Sequence, residues 1–412
     1  MKNNDLIVLY GPPWFGASQM SKHHLANYHS KKRKVLYIEV PINPLSFITR
    51  TKVALKSLKT FFTGPLKLKK NLWLHTYFYL LPYRGSELLF GARWVNSINQ
   101  WFVSKFLFHF IKKLGLHKPI IVVGTAHAYD LLTKFNDNLL IYHCSDDYTF
   151  VPTFPKSFAG LEIDLFKKCD FVIATAEELM KSKRNYNSKI YTVPNGVDTS
   201  HFLSTQDNSK KISHELKNME GPIIGYIGSI FDWLDKDWIF EAAKAYPNWN
   251  FIFIGPIETD ISFLKNINNI HFLGPRPYGT LPEYLKGFDV ATIPFVFNDV
   301  TLRASPIKFY EYLASGVPIV STNLPDLKSM KDYAYLADNS VQYIQFLNEA
   351  LNNDSDKMKN RRMKISRKFS WSTRFEKIDK LIEKAGNTTN TNTTTTNNLN
   401  LKLNNFGNED LS

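Results

Sequence analysis

Short apolar runs recur along this chain, each separated from the next by a stretch with the spacing of an amphipathic helix, and that alternation limits the fold more than any single residue does. In the first half the runs are Leu6–Tyr10, Val35–Ile38, Leu72–His75, Ile120–Val123, Leu139–His143, Phe171–Ala174 and Ile190–Val193. In the second they are Ile223–Ile227, Phe251–Ile254, Ile270–Leu273, Val290–Ile293, Pro318–Ser321 and a weaker Ala334–Leu336. Helical patterns lie between most of them, for example over Asp237–Ala245, Leu281–Gly287 and Pro306–Ser315. Strands alternating with helices predict parallel sheets covered on both faces, and 412 residues suffice for two such α/β units, each doubly wound. Ligands of such sheets lie beyond the carboxyl ends of the strands, here in a cleft between the domains.

Composition divides the chain further. Ser204-Thr205-Gln206-Asp207-Asn208-Ser209-Lys210-Lys211 has linker composition and sets an expected boundary within 203–221. The first domain is then 1–203 and the second 204–385. From Asn387 an Asn/Thr tract begins, and 386–412 reads as a disordered tail, too polar to offset its ordering entropy. Cys144 and Cys169 are the only cysteines, which gives neither a disulfide framework nor a metal cluster and suits a reducing cytoplasm. The first strand begins within a few residues of Met1, leaving no room for a signal peptide, and no run of 18 apolar residues is present.

The formal charge of +14 is uneven. Residues 1–200 hold 27 Lys/Arg against 13 Asp/Glu, while 201–412 hold 24 of each. Within the first half, residues 44–113 carry twelve basic residues, fifteen aromatics and one acid, Glu87. Such a segment suits an anionic membrane surface, where each nearby Lys or Arg is worth roughly 1 kcal/mol and Trp or Tyr sits at the headgroups. The competing reading is an ordinary aromatic core beneath solvated lysines. Nucleic acid as a partner finds no zinc-finger spacing, RNA-binding strand signature or basic zipper here.

Candidate chemistry gathers at strand ends. Ser305-Pro306-Ile307-Lys308-Phe309-Tyr310-Glu311-Tyr312-Leu313-Ala314-Ser315-Gly316 sets Lys308 and Glu311 three residues apart on one helix face, with Ser305 as cap and Gly316 as stop. A lysine in the first turn opposes the helix dipole, which makes sense if an anion such as a phosphate also sits there; a surface salt bridge is the plainer alternative. Gly11-Pro12-Pro13-Trp14-Phe15-Gly16 follows the first strand and precedes a helix, so its backbone can approach a ligand, although the dinucleotide spacing is absent. His143, Asp146 and Asp147 end another strand; His143 or Asp146 can handle an acceptor proton, while Asp147 reads better as a cap or a solvated acid. His127 is a weaker candidate, and Asn195-Gly196 reads as a turn needed by the linker.

The stretch Ser305 to Val320 resembles the donor-site signature of the group 1 glycosyltransferases, a retaining nucleotide-sugar family with two Rossmann-like domains facing across a cleft (the GT-B type). Tyr191-Thr192-Val193-Pro194-Asn195-Gly196-Val197-Asp198, Gly225-Tyr226-Ile227-Gly228, Phe253-Ile254-Gly255-Pro256, Phe272-Leu273-Gly274-Pro275-Arg276-Pro277-Tyr278 and Phe288-Asp289-Val290-Ala291 follow in the family's order. The resemblance implies a nucleoside diphosphate sugar as donor, a glycan or lipid-linked acceptor at the cell surface, and no bound metal or other cofactor. It gives Glu311 the ribose, Arg276 and Tyr278 the nucleobase, and Gly16 a place in the cleft; the positive charges of Lys308 and Arg303, with Ser305 beside them at the helix start, suit the departing diphosphate. Arg303 stands where the family commonly has a second glutamate, and the Ser-Pro-x-Lys variant resembles the teichuronic-acid-type branch. The implied location is cytoplasmic, peripheral at the inner face of the cell membrane. A sugar-nucleotide epimerase of similar fold and an inactive nucleotide-sugar-binding protein are the competing readings.

Overall fold

The computed structural model describes residues 4–15, 19–49, 55, 58, 60–83, 91–148 and 158–387. The apolar runs form two sheets. The first contains β1 (Leu6–Gly11), β2 (Val35–Glu39), β3 (Leu66–Lys69), β4 (Leu72–His75), β5 (Ile120–Val123), β6 (Leu140–Cys144), β7 (Phe171–Ala174) and β8 (Ile190–Thr192), in the order β3-β4-β2-β1-β5-β6-β7-β8. All its pairings are parallel except that of β3 with β4. The second contains β9 (Ile223–Ile227), β10 (Asn250–Ile254), β11 (Ile270–Phe272), β12 (Val290–Ile293), β13 (Ile319–Thr322) and β14 (Tyr335–Ala337), ordered β11-β10-β9-β12-β13-β14 and parallel throughout. Both are Rossmann-like: the order reverses between β1 and β5 and between β9 and β12, where a crevice opens at the carboxyl ends.

Side-chain alternation along β1 accounts for the first domain's two cores. Ile7 and Leu9 pack with Leu36, Ile121 and Tyr142 on one face, while Leu6 and Val8 pack with Val35, Ile120 and Ile141 on the other. β3 has no counterpart among the predicted runs. Its Leu-Lys-Leu-Lys alternation belongs to an edge strand, where lysines discourage pairing with another chain.

The chain crosses between domains twice, at adjacent points. The first crossing lies at Asn195–Val197, ahead of the linker expected at 203–221, because Val197 and Phe202 are already buried in the second core. The second returns at Phe369–Trp371. The helix over 371–387, expected within a second domain ending at 385, lays Trp371, Phe375, Ile378 and Ile382 against Leu6, Val8 and Leu25 of the first domain. The two crossings pair through Val197 N to Phe369 O at 3.0 Å and Trp371 N to Val197 O at 3.1 Å. Gly196 permits this approach, since a Cβ there would lie 2.8 Å from Phe369 O. Residues 386 and 387 end that helix; the rest of the expected tail lies outside the described residues.

The basic, aromatic segment is buried in part and exposed in part. Phe61, Tyr77, Tyr79, Tyr83 and Phe110 are buried. On the helix Ala92–Leu114, by contrast, Trp94, Trp101 and Phe108 recur every seven residues and are 56%, 54% and 39% exposed. No helix among the described residues is long and apolar enough to cross a membrane.

Candidate active site

A cleft of about 600 Å³ separates the two sheets, within the usual range for small-molecule sites. Its walls come from the carboxyl ends of β1, β5 and β6 on one side and of β9, β10 and β12 on the other. The helix Ile307–Ser315 meets it end on, with Ser305, Pro306, Ile307 and Lys308 in the wall.

Pro306 is the N-cap of that helix and contributes no side-chain cap, so the first-turn N–H groups can serve an anion in the cleft. Ser305 does not cap, contrary to the sequence expectation. Its Oγ lies near the Tyr310 hydroxyl and the Asp326 carboxyl without hydrogen-bond geometry to either, and its backbone oxygen accepts from Asn195 Nδ2 at 2.7 Å. Asn195 thereby ties the first crossing to the start of the helix Ile307–Ser315. Gly316 ends the helix with φ +80°, as its sequence position predicts. Lys308 Nζ stands 3.0 Å from Glu311 Oε2. Lys308 reaches the cleft, whereas Glu311, 3% exposed, lies behind it and close enough to Tyr278 to act on its hydroxyl.

Other second-domain candidates are already engaged. Arg276 lines the cleft, but its guanidinium holds Glu215 and donates to the Tyr284 hydroxyl at 2.7 Å. Tyr278 stacks on His201 with centroids 4.6 Å apart, meets His24 edge-on, and is outside the cleft wall. Arg303 is also outside it: its Nη1 pairs with Asp299 at 2.9 Å and its Nε reaches across the domains to Asp147 at 3.8 Å. The cleft floor depends on Gly255, at φ +153°, where a Cβ would lie 1.9 Å from Gly228 O.

On the first domain, the described part of the loop after β1 brings Pro12 and Pro13 to the cleft; Gly16 lies outside the described residues. Asp146 lines the cleft with its side chain open to it, and the protein walls around it raise its carboxyl above the usual range, with Lys22 opposing the rise and Asp147 adding to it. His143 does not line the cleft. Burial, reinforced by Lys22, holds its imidazole well below the ordinary value, and its Nδ1 is buried without a hydrogen-bond partner. Asp147 is buried, 2.6 Å from Lys183 Nζ, and is not a solvated acid. His127 packs among Tyr79, Tyr83 and Phe158, where burial lowers its pKa to about 4. Among the cleft residues that the sequence candidates do not include is Lys22, in the first turn of the helix Ser21–His29, which donates to Ser145 Oγ at 2.8 Å. The signal that could have marked it is a lysine at a helix start just after a ligand-approach loop.

A family model described as group 1 glycosyl transferases matches residues 221–353. The chain is 29% identical over 280 residues to a putative teichuronic acid biosynthesis glycosyltransferase, TuaH, of Bacillus subtilis (strain 168), a match covering 62% of this chain and 70% of that one. Among solved structures it is similar to α,α-trehalose 6-phosphate synthase of Burkholderia multivorans (TM-score 0.67, 12% identity, 93% of this chain and 100% of the other). It is also similar to sucrose-phosphate synthase of Thermosynechococcus elongatus (TM-score 0.66, 12% identity, 92% and 99%). A third is HepE of Anabaena in complex with UDP-glucose (TM-score 0.60, 13% identity, 92% and 99%).

Proposed function

The chain is a group 1 glycosyltransferase that uses a nucleotide sugar, and on that premise we propose that it moves the sugar, with retention at the anomeric carbon, to a cell-surface glycan or glycolipid. The observation that carries the donor side is Lys308, in the wall of an interdomain cleft at the uncapped start of the helix Ile307–Ser315, with Glu311 held behind it at 3.0 Å. As the bond to the sugar breaks, negative charge grows on the departing diphosphate. The Lys308 ammonium and the first-turn N–H groups supply fixed positive potential there. Glu311, one turn further in, accepts from the ribose diol. The acceptor enters on the face from which the diphosphate departs, as retention requires; its oxygen bonds the anomeric carbon as the bond to the diphosphate breaks, and Asp146, whose raised carboxyl is a better base near neutral pH than an ordinary one, takes the hydroxyl proton. No step requires a metal.

The likeness to the Bacillus putative teichuronic acid biosynthesis glycosyltransferase supports an envelope acceptor. The UDP-glucose complex of HepE makes uridine nucleotides the first donors to try. Placement at the inner face of the cell membrane belongs to the same reading. The exposed Trp94, Trp101 and Phe108 share their helix with Arg93, Lys105, Lys112 and Lys113 and with no acid, which suits anionic headgroups. Incubating the purified chain with a panel of nucleotide sugars tests the proposal: slow release of the nucleoside diphosphate, abolished in Glu311→Gln, is expected. Conversion of the donor to an isomer would replace this reading with an epimerase, and binding without turnover would replace it with an inactive binding protein.

A further inference from the structure

Three basic side chains line the cleft among the described residues: Lys22, Arg276 and Lys308. Two are neutralised at contact distance, Arg276 by Glu215 and Lys308 by Glu311. Lys22 differs. Its side chain is buried, with the residue only 5% exposed, and its Nζ donates to Ser145 Oγ at 2.8 Å. Among the described residues no carboxylate lies within the 4.0 Å of an ion pair; Asp146 acts on it from farther away. An ammonium has three N–H donors, so two remain for a ligand. A buried cation so incompletely paired is costly unless an anion completes it.

Its setting adds more positive potential. Lys22 is the second residue of the helix Ser21–His29, whose N-cap, Met20, provides no side-chain cap bond, and both Met20 and Ser21 line the cleft. The positive end of the helix dipole thus points where the ammonium stands. Lys308 comes close enough from the other domain to bear on the ring of His24 in this same helix. In free solution such an arrangement disfavours the charged lysine, and burial draws its pKa down to about 8 despite Asp146 and Cys144.

We propose that Lys22 is a phosphate-binding residue, its ammonium taking a phosphoryl oxygen between the two domains, a charge from the first domain that the segment after β9 in the second does not offer. There Lys236, the sole basic residue of Ser229–Lys236, is occupied by Thr259 and Asp260. The phosphoryl group belongs either to the donor's diphosphate or to a phosphate on the acceptor; only the choice of source rests on the glycosyltransferase reading.

The test uses the full chain, wild type and Lys22→Met, which keeps the aliphatic stem, with Lys22→Arg as rescue. Calorimetric titration with UDP, GDP and ADP, with the parent nucleosides and with inorganic pyrophosphate is expected to show a loss of about 10- to 100-fold for diphosphates in Lys22→Met, the worth of a charge-assisted hydrogen bond, and less than twofold for nucleosides. Unchanged diphosphate affinity, with the same loss for polyprenyl phosphate in phosphatidylcholine vesicles, would assign the acceptor phosphate as source. Unchanged affinity for every phosphate probe overturns the proposal. If wild type binds no nucleotide but binds pyrophosphate through Lys22, the donor-site reading fails and the phosphate site stands. Should Lys22→Met not fold, Lys22→Gln and the protection of wild type from heat by pyrophosphate but not by sodium chloride decide the matter.

Discussion

Replacing Lys308 with alanine separates its chemical role from its structural one, because its partner is the more buried of the two. Glu311 is 3% exposed and Lys308 17%, with 3.0 Å between Nζ and Oε2. An exposed pair three residues apart is worth only about 0.3 kcal/mol, but stranding a buried carboxylate costs about 3 to 5 kcal/mol. Water reaches Nζ here, so a loss of about 2 kcal/mol is the reasoned value, a fall in Tm of roughly 5 °C for domains of this size. The double variant Lys308→Ala/Glu311→Gln removes the stranded charge and should regain most of that stability. Turnover should not recover: losing a cation aimed at developing charge costs about 100- to 1,000-fold, and Lys308→Ala and the double variant should both show it. Thermal melts with donor-hydrolysis rates on wild type, both single variants and the double variant complete the cycle. A double variant as unstable as Lys308→Ala, or near-normal turnover in Lys308→Ala, would refute the reasoning.

Asp146→Asn should lower turnover by about 100- to 10,000-fold with little change in nucleotide affinity, whereas His143→Ala, removing a buried neutral ring, should show mainly as a lower Tm; a kinetic loss confined to His143→Ala would reverse the two roles. With Lys22 facing Asp146, Cys144, His143 and His23, nucleoside diphosphate affinity should weaken as pH rises above about 8 in wild type and stay flat in Lys22→Met, read by titration calorimetry from pH 6.5 to 9.5. Stability moves in the opposite sense: the folded pKa of Lys22 lies below its ordinary 10.5, so its contribution is full above 10.5 and is lost as pH falls to about 8, visible in wild-type but not Lys22→Met denaturation curves. Binding to anionic vesicles, measured by sedimentation, should fall on raising salt and in Trp94→Ala/Trp101→Ala; equal binding to neutral vesicles would remove the membrane role.

What the sequence made legible follows from how local each signal is. Buried parallel strands such as Val8 to Leu9 or Phe251 to Ile254 advertise themselves as apolar runs, and Gly316 marks a helix end by its backbone freedom alone. The helix over 371–387 is plainly amphipathic, yet nothing in it says which core its apolar face will meet, and Trp371 and Phe375 turn out to serve the first domain. Lys308 and Glu311 are neighbours because helix geometry makes them so. Arg303 shows the limit: its charge suggested a diphosphate ligand, but its partners Asp299 and Asp147 are set by tertiary structure. For Lys22 the sequence offered its place at a helix start but not its partner, since its bond to Ser145 spans 123 positions of sequence.

The central claim is that this cleft splits a nucleotide sugar at Lys308 and Glu311. Its most direct test is time-resolved chromatography of purified wild type and Glu311→Gln with UDP-glucose, UDP-N-acetylglucosamine, GDP-mannose and ADP-glucose. The account predicts slow release of nucleoside diphosphate from at least one donor by wild type, and a loss of at least about 100-fold in Glu311→Gln at unchanged Tm. Equal rates from the two proteins would contradict it.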